Sequence, residues 1–257
     1  MENINQRQKT KYDISVTIPA HNEEAYIERC LKSIWKSAEQ YDGSVEVIVV
    51  CNRCTDKTAE IAEKNSARVI YNDDRCIAKV RNAGIAAAKG DIIVTIDCDN
   101  QMTTGTLSEI SNLLKTGKYI GGGSPIRFER YSFPLLLNDL MCRISFKLTG
   151  LYCGIFWAEK STFDAIGGFE EIKAMEDVKT AKKLKQYGKK HGKKYTTLHE
   201  NYLINSTRKY DDMGDWLYFK LMFKHVGTFI KAAFGNKSEL DRLLDEMFYE
   251  YNDKHIS

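Results

Sequence analysis

Ile92-Ile93-Val94-Thr95-Ile96-Asp97-Cys98-Asp99 is the stretch on which the fold turns. Five residues suited to a strand buried on both faces run straight into two carboxylates spaced two apart. A rigid strand end holding Asp97 and Asp99 suits Mg²⁺ or Mn²⁺, which take one or two carboxylates and share the rest of their shell with phosphate oxygens. Two acids at a strand end can also be no more than a cap, so the neighbouring segments have to decide between the two.

Working back toward the amino terminus, the same pattern repeats. Ile14 to Ile18 predicts a buried strand stopped by Pro19. Asn22 then caps a helix with Ile27, Cys30, Leu31, Ile34 and Trp35 on its inner face. Val45 to Val50 is a near-continuous apolar run, and Thr55 caps a second helix reaching about Asn65. Arg68 to Tyr71 is a short strand. Ile77, Val80, Gly84 and Ala88 mark a third helix that Gly90 ends. Alternation of this kind, with right-handed crossovers, predicts a doubly wound, mostly parallel α/β sheet with helices on both faces. Such sheets bind ligands beyond the carboxyl ends of their strands, where Pro19–Glu24, Cys51–Asp56, Asp73–Cys76 and Asp97–Gln101 all fall. That convergence turns the aspartate pair into a site candidate.

The rest of the chain narrows the class. A sequence of 257 residues, 43% hydrophobic and with three prolines, fits one α/β domain with an appended helical segment. A net charge of +3 from 38 basic and 35 acidic residues gives no case for nucleic acid as the main partner. The lysine run Lys179 to Lys194 reads first as a solvated helix face and second as a surface for anionic lipid or substrate. Seven scattered cysteines without a secretory leader point to free thiols in the cytoplasm, and Cys51-x-x-Cys54 lacks the partners of a zinc site. No apolar run is long enough to span a bilayer. Phe133 to Trp157 predicts an amphipathic helix with Asp139, Arg143 and Lys147 as its polar stripe, packed on the core or lying peripherally on the cytoplasmic face of a membrane.

Six motifs taken in order, Pro19-Ala20-His21-Asn22-Glu23-Glu24, Cys51-Asn52-Arg53-Cys54-Thr55-Asp56, Arg81-Asn82-Ala83-Gly84, Asp97-Cys98-Asp99, Gly167-Gly168-Phe169 and Glu176-Asp177, resemble glycosyltransferase family 2. The resemblance covers about residues 13–190. It implies a GT-A fold and inverting transfer of a sugar from a nucleotide-diphosphate-sugar to the hydroxyl of a glycan or lipid-linked acceptor. By resemblance, Pro19, Ala20, Asn22 and Glu23 line the nucleoside pocket and Arg81 compensates the diphosphate; Asn52, at a position where the chain departs from the family, can read a base edge through its amide. Asp99 is then the more direct ligand of Mn²⁺ or Mg²⁺, with Asp97 on the ribose or a metal-bound water. Asp177 is the general base with Glu176 orienting it, and Gly168 lies in an acceptor-side turn. A UDP-sugar is the donor it favours, although Cys51-Asn52 stands where members commonly carry an acid. Acids opening a helix are also ordinary electrostatics, and Asp56 can serve its helix in the same way.

Past Gly188 the resemblance loosens. Arg208 is a candidate cation for the diphosphate and His199 a candidate third metal ligand. Trp216, Tyr218, Phe219, Phe223, Phe229 and Phe234 read as helix packing before a lipid groove. The expected organisation is a flexible tail over 1–12, a glycosyltransferase domain over 13–200 with a nucleotide-binding half at 13–101 and an acceptor-binding half at 102–200, and a helical extension over 201–257. A phosphatase that uses Asp-x-Asp would carry the pair after its first strand. A nucleotidyltransferase on a related fold would need a Gly-rich, Lys-containing first loop where Ala20-His21-Asn22-Glu23 stands. A nucleotide-sugar or lipid-binding protein without transferase activity would need no base.

Overall fold

A computed structural model describes residues 12–172, 175–217 and 219–220. Its first half alternates strictly: β1 (Tyr12–Ala20), α1 (Ile27–Glu39), β2 (Val45–Asn52), α2 (Thr58–Lys64), β3 (Arg68–Asn72), α3 (Ile77–Ala87) and β4 (Gly90–Thr95). The second half runs β5 (Gln101–Met102), α4 (Thr106–Lys115), β6 (Tyr119–Gly123), β7 (Ile126–Phe128), α5 (Phe133–Thr149), β8 (Phe156–Glu159), α6 (Lys160–Ile166), α7 (Glu176–Lys190), β9 (Lys194–Thr197), β10 (Leu203–Asn205) and α8 (Arg208–Met213).

Seven strands form one sheet in the order β3-β2-β1-β4-β8-β6-β9, in which β8 alone runs against its neighbours β4 and β6. A small sheet, β5-β10-β7, lies apart from it. Alternation along the central strands sends side chains to two separate cores. Val16, Ile18, Val47, Val49 and Val94 pack with Leu31 and Ile34 of α1 and Leu107 and Ile110 of α4. Ile48, Val50 and Ile93 pack on the other face with Val80 of α3, Phe163 of α6 and Leu184 of α7. Helices therefore cover both faces, as the continuous apolar strands require.

α3 lies close against the sheet because Gly84 has no side chain: a β-carbon there would come 3.1 Å from both Thr17 and Val50. A buried polar knot ties the roots of the strands. Glu46 Oε1 accepts hydrogen bonds from Ser15 Oγ (2.7 Å) and the Lys89 N–H (2.6 Å), and its other oxygen lies 3.2 Å from Arg68 Nη2.

Several local expectations are corrected. Pro19 does not stop β1, which pairs with β2 through Ala20; beyond Thr17 the strand has lost β4 as a neighbour, so a missing N–H costs little on that flank. Asn22 caps no helix, since α1 opens five residues later and Asn22 adopts a left-handed φ of 51°. Thr55 is not the cap of α2 either: Asp56 Oδ1 accepts from the Thr58 N–H (3.0 Å) and hydroxyl (2.6 Å). Gly90 opens β4 rather than ending α3, and its N–H donates to Ser15 Oγ at 2.8 Å.

The helix expected between Phe133 and Trp157 is α5, but its faces are reversed from a core helix. Asp139 is buried, whereas Phe133, Leu136, Leu140, Ile144 and Leu148 are exposed. Its neighbour on the Asp139 and Arg143 side is a cavity rather than the sheet's core. The segment after residue 200 opens with a strand, β10, paired with both β5 and β7. Tyr218, Phe223, Phe229, Phe234 and the remainder of the expected helical extension lie outside the described residues, as does the tail over 1–11.

Candidate active site

The carboxyl ends of β1, β2 and β4 meet at one edge, and the first two loops there brace each other. Ring atom Nδ1 of His21 lies 2.6 Å from the Asn52 carbonyl. Asn22 Oδ1 accepts from the Thr55 N–H (2.8 Å), the Glu23 N–H donates to Thr58 Oγ1 (2.7 Å), and the Glu24 N–H donates to Asp56 Oδ2 (2.9 Å). Left-handed backbone at Asn22 and Arg53 lets both loops turn to make these contacts. The result is a rigid shelf beside Pro19 and Ala20. Asn52 spends its amide on the carbonyls of Asn72 and Asp74, both at 2.8 Å, which anchors the loop after β3.

From β4, Cys98 turns into the core while Asp97 and Asp99 face the edge. Each is met by an arginine. Arg81, from α3, is buried; its Nη2 lies 2.6 Å from Asp97, and its Nη1 lies 2.5 Å from Asp177 and 3.1 Å from Glu176. Expected beside the diphosphate, its guanidinium is instead committed to three carboxylates from two elements. Arg208 forks onto both oxygens of Glu23 at 2.7 and 2.9 Å, and its Nε stands 3.2 Å from Asp99 without an aligned hydrogen bond. The structure thus brings Glu23, Asp97, Asp99, Glu176 and Asp177 into one cluster.

The Glu176-Asp177 pair opens α7 after Met175, which is left-handed at φ 66°. Its position is set by the preceding turn. Asn82, next to Arg81, donates to the Phe169 carbonyl (2.9 Å) and accepts from the Phe169 N–H (2.8 Å), pinning Gly167-Gly168-Phe169 to α3. Gly168 has φ 63°, and a β-carbon there would lie 2.4 Å from Asn82 Oδ1. The Phe169 ring in turn lies 5.2 Å from the Arg81 guanidinium.

The electrostatics follow from burial. Burial, then the charges of Asp99 and Asp97, push Glu23 up to about 7 against the pull of Arg208. Burial also raises Asp99, with Arg208 opposing it and Asp97 adding to it. Glu176 is pushed up to about 7 by burial and by Asp177, and Asp177 is itself raised by burial, with Arg81 opposing. Five carboxylates share Arg81, Arg208 and the nearby Lys209, and the strand-end pair Asp97 and Asp99 offers oxygens that a cation can take. No group of three His, Cys, Asp or Glu with metal-binding geometry exists among the described residues. Two strand-end carboxylates that leave most of the shell to substrate phosphates fit Mg²⁺ or Mn²⁺ and no all-protein cage.

Beside the cluster opens a cavity of about 700 Å³ lined by Asp97, Asp99 and Arg208 at one end and by Arg127, Asp139 and Phe146 elsewhere. His199 lies on its border, with its ring edge-on to Tyr119 and its backbone N–H held by Glu109. Residues that sequence reasoning missed include Asn82, Arg29 and Tyr26. Arg29 donates to the Asp99 carbonyl (2.9 Å), and Tyr26 lies between Arg29 and Arg208, its centroid 4.7 and 5.0 Å from them. Asn82 stood inside a quoted motif. Arg29 and Tyr26 carried no signal, because their role depends on a segment almost 180 residues away in sequence.

The model of the family described as Glycosyl transferase family 2 matches residues 15–164. Glycosyltransferase GlyG of Streptococcus pneumoniae is 32% identical over 93 residues, 34% of this chain and 30% of that protein. The chain thus spans under a third of the length of that relative. TarS of S. aureus in complex with UDP-GlcNAc superposes with a TM-score of 0.58 at 20% identity, over 76% of this chain and 58% of that one. Glucosyl-3-phosphoglycerate synthase of Mycobacterium tuberculosis, in complex with Mn²⁺, UDP and glucosyl-3-phosphoglycerate, gives 0.54 at 25% identity, over 79% and 75%.

Proposed function

The chain belongs to glycosyltransferase family 2, and from that premise we propose that it transfers a sugar from a nucleotide-diphosphate-sugar to an acceptor hydroxyl with inversion. The observation that carries this reading is the cluster itself. Arg81 links Asp97, which lines the cavity, to Glu176 and Asp177 at the start of α7, and so brings the proposed metal strand and the proposed base together.

In this reading the shelf of Pro19, Ala20, Asn22 and Glu23 carries the nucleoside, and a UDP-sugar is the first donor to try. Asp97 and Asp99 would hold Mn²⁺ or Mg²⁺ against the diphosphate, and when bound the metal supplies charge that stabilises the departing nucleoside diphosphate. Arg208 is near enough to Asp99 to transfer its fork from Glu23 to phosphate oxygens. Asp177 accepts the proton of the acceptor hydroxyl as that oxygen bonds to the anomeric carbon and the carbon–phosphate-oxygen bond breaks. Burial raises its proton affinity above that of an ordinary aspartate, which suits a base, while Arg81 opposes that shift and aims the carboxylate. Gly168 and Asn82 act at one remove, by fixing the turn that leads into Asp177.

We also propose that the protein rests on an anionic membrane surface through α5, with the acceptor reached from there. What supports this is the exposed apolar face of α5 together with its basic border. Lys147 is exposed on the helix, and Lys185 of α7 reaches the Thr149 carbonyl at 2.8 Å. No helix among the described residues is long and apolar enough to cross a membrane.

The test of the activity is turnover of a panel of UDP-, GDP- and dTDP-sugars with Mn²⁺ or Mg²⁺, read as nucleoside diphosphate release with and without acceptor extracts. Metal-dependent release of one nucleotide supports the reading. Binding of nucleotide-sugar without release under any acceptor would favour a binding protein instead.

A further inference from the structure

Building on the transfer reaction proposed above, with the cavity beside Asp97 and Asp99 taken as the acceptor cleft, we infer that the acceptor carries an oxyanion, a phosphate or carboxylate, and that Arg127 binds it. Arg127 lies on β7 opposite Ile204 of β10, and its guanidinium rests 4.0 Å from the centroid of the Tyr202 ring. Stacking of this kind holds the planar head flat and leaves its N–H edge free to fork onto an oxyanion.

Charge pairing marks Arg127 out from the other arginines of the same cavity. Arg143 is bound to Asp139 at 2.8 Å, and Arg208 to Glu23 and Asp99. Arg127 has no hydrogen bond or ion pair to a side chain among the described residues, although it lines the cavity that also holds Asp97 and Asp99. An unpaired guanidinium held ready on an aromatic plate, in a cavity where Asp97, Asp99, Asp139 and Glu200 stand beside Arg143, Arg208 and Lys209, selects a ligand of opposite charge. Its neighbours in the wall describe the rest of that ligand: Met141, Cys142 and Phe146 of α5 and Phe128 of β7 offer apolar surface next to it. An amphiphile with an anionic head fits both. The donor is a poorer match, because the cation nearest Asp99 is Arg208.

The experiment is calorimetric titration of the full chain with octyl phosphate, octanoate, octanol and inorganic phosphate, with UDP and Mg²⁺ titrated on the same samples. Octyl phosphate or octanoate should bind saturably and octanol should not, and the bound anion identifies which head group is read. Arg127→Gln should weaken that binding by at least about tenfold, with UDP affinity and unfolding temperature unchanged; Arg127→Lys, which keeps charge but not the planar fork, should fall between. Inorganic phosphate binding as tightly as octyl phosphate, and equally dependent on Arg127, would support a small soluble acceptor. Octanol binding as well as the anions, no saturable binding at all, or an Arg127→Gln variant that binds like wild type would overturn the inference. So would a loss of UDP affinity in that variant, which would make Arg127 a donor contact. Intact UDP binding without anion binding removes this inference alone, whereas anion binding without UDP binding removes the donor reading.

Discussion

Arg81 Nη1 and Asp177 Oδ1 are 2.5 Å apart, and the same guanidinium reaches Asp97 with its other nitrogen at 2.6 Å. One buried cation therefore sets the spacing between the proposed metal strand and the proposed base. Removing it leaves three carboxylates facing one another in a half-buried pocket. Arg81→Met should cost about 3–5 kcal/mol, the range for breaking a buried ion pair from one side. Urea unfolding would measure it, and a loss under 1 kcal/mol would show that the carboxylates relax apart without the arginine.

The turn before α7 is the next link. Gly168→Ala places a β-carbon 2.4 Å from Asn82 Oδ1 on left-handed backbone, so we expect a loss of about 1–3 kcal/mol. Activity should fall further than that loss alone explains, because Asp177 is positioned through this turn. Nucleotide affinity should hold, since the shelf between β1 and β2 does not involve it. A variant with wild-type turnover would separate the turn from catalysis.

Acid stability should report on the knot at the root of the sheet. Burial of Glu46 disfavours its charge, but hydrogen bonds from Ser15, the Lys89 N–H and Arg68 outweigh that and hold its carboxyl below the ordinary glutamate value. A carboxyl lowered on folding stabilises the protein above its unfolded pKa, and the contribution is lost as pH falls through the folded value. Glu46→Gln should cost about 1–3 kcal/mol at pH 7 and show a shallower decline between pH 5 and pH 3. Parallel melting curves for the two proteins across that window would contradict the assignment.

Membrane contact through α5 has a direct readout in vesicle co-sedimentation. Wild type should bind phosphatidylglycerol vesicles, less so in high salt, and phosphatidylcholine vesicles weakly. Leu140→Glu together with Ile144→Glu, both on the exposed face, should abolish binding without loss of stability. Equal binding by the double variant would place the contact elsewhere.

The doubly wound sheet was legible because each central strand is apolar on both faces and each helix keeps its period. Less legible were features that local propensity cannot decide. Asn22 looks like a helix cap in sequence, yet its amide goes to the Thr55 N–H on a loop 33 residues away. The polar stripe of α5 was visible, but not the direction it faces, which depends on a cavity assembled from β7, β10 and α8. Arg208 and Arg29 converge on Asp99 only after β10 has paired with β5 and β7, contacts no motif encodes.

In the proposed reaction Asp177 removes the acceptor proton, held opposite the metal-side carboxylate of Asp97 by Arg81. Asp177→Asn keeps size and most hydrogen bonding but not basicity. The most direct measurement is kcat for sugar transfer by this variant, beside calorimetry of nucleotide and Mn²⁺ binding. We predict a fall in kcat of about 10²–10⁴-fold with nucleotide and metal affinities near wild type. Wild-type kcat in Asp177→Asn, with a working acceptor, would rule out Asp177 as the base and leave it a helix-start acid held by Arg81.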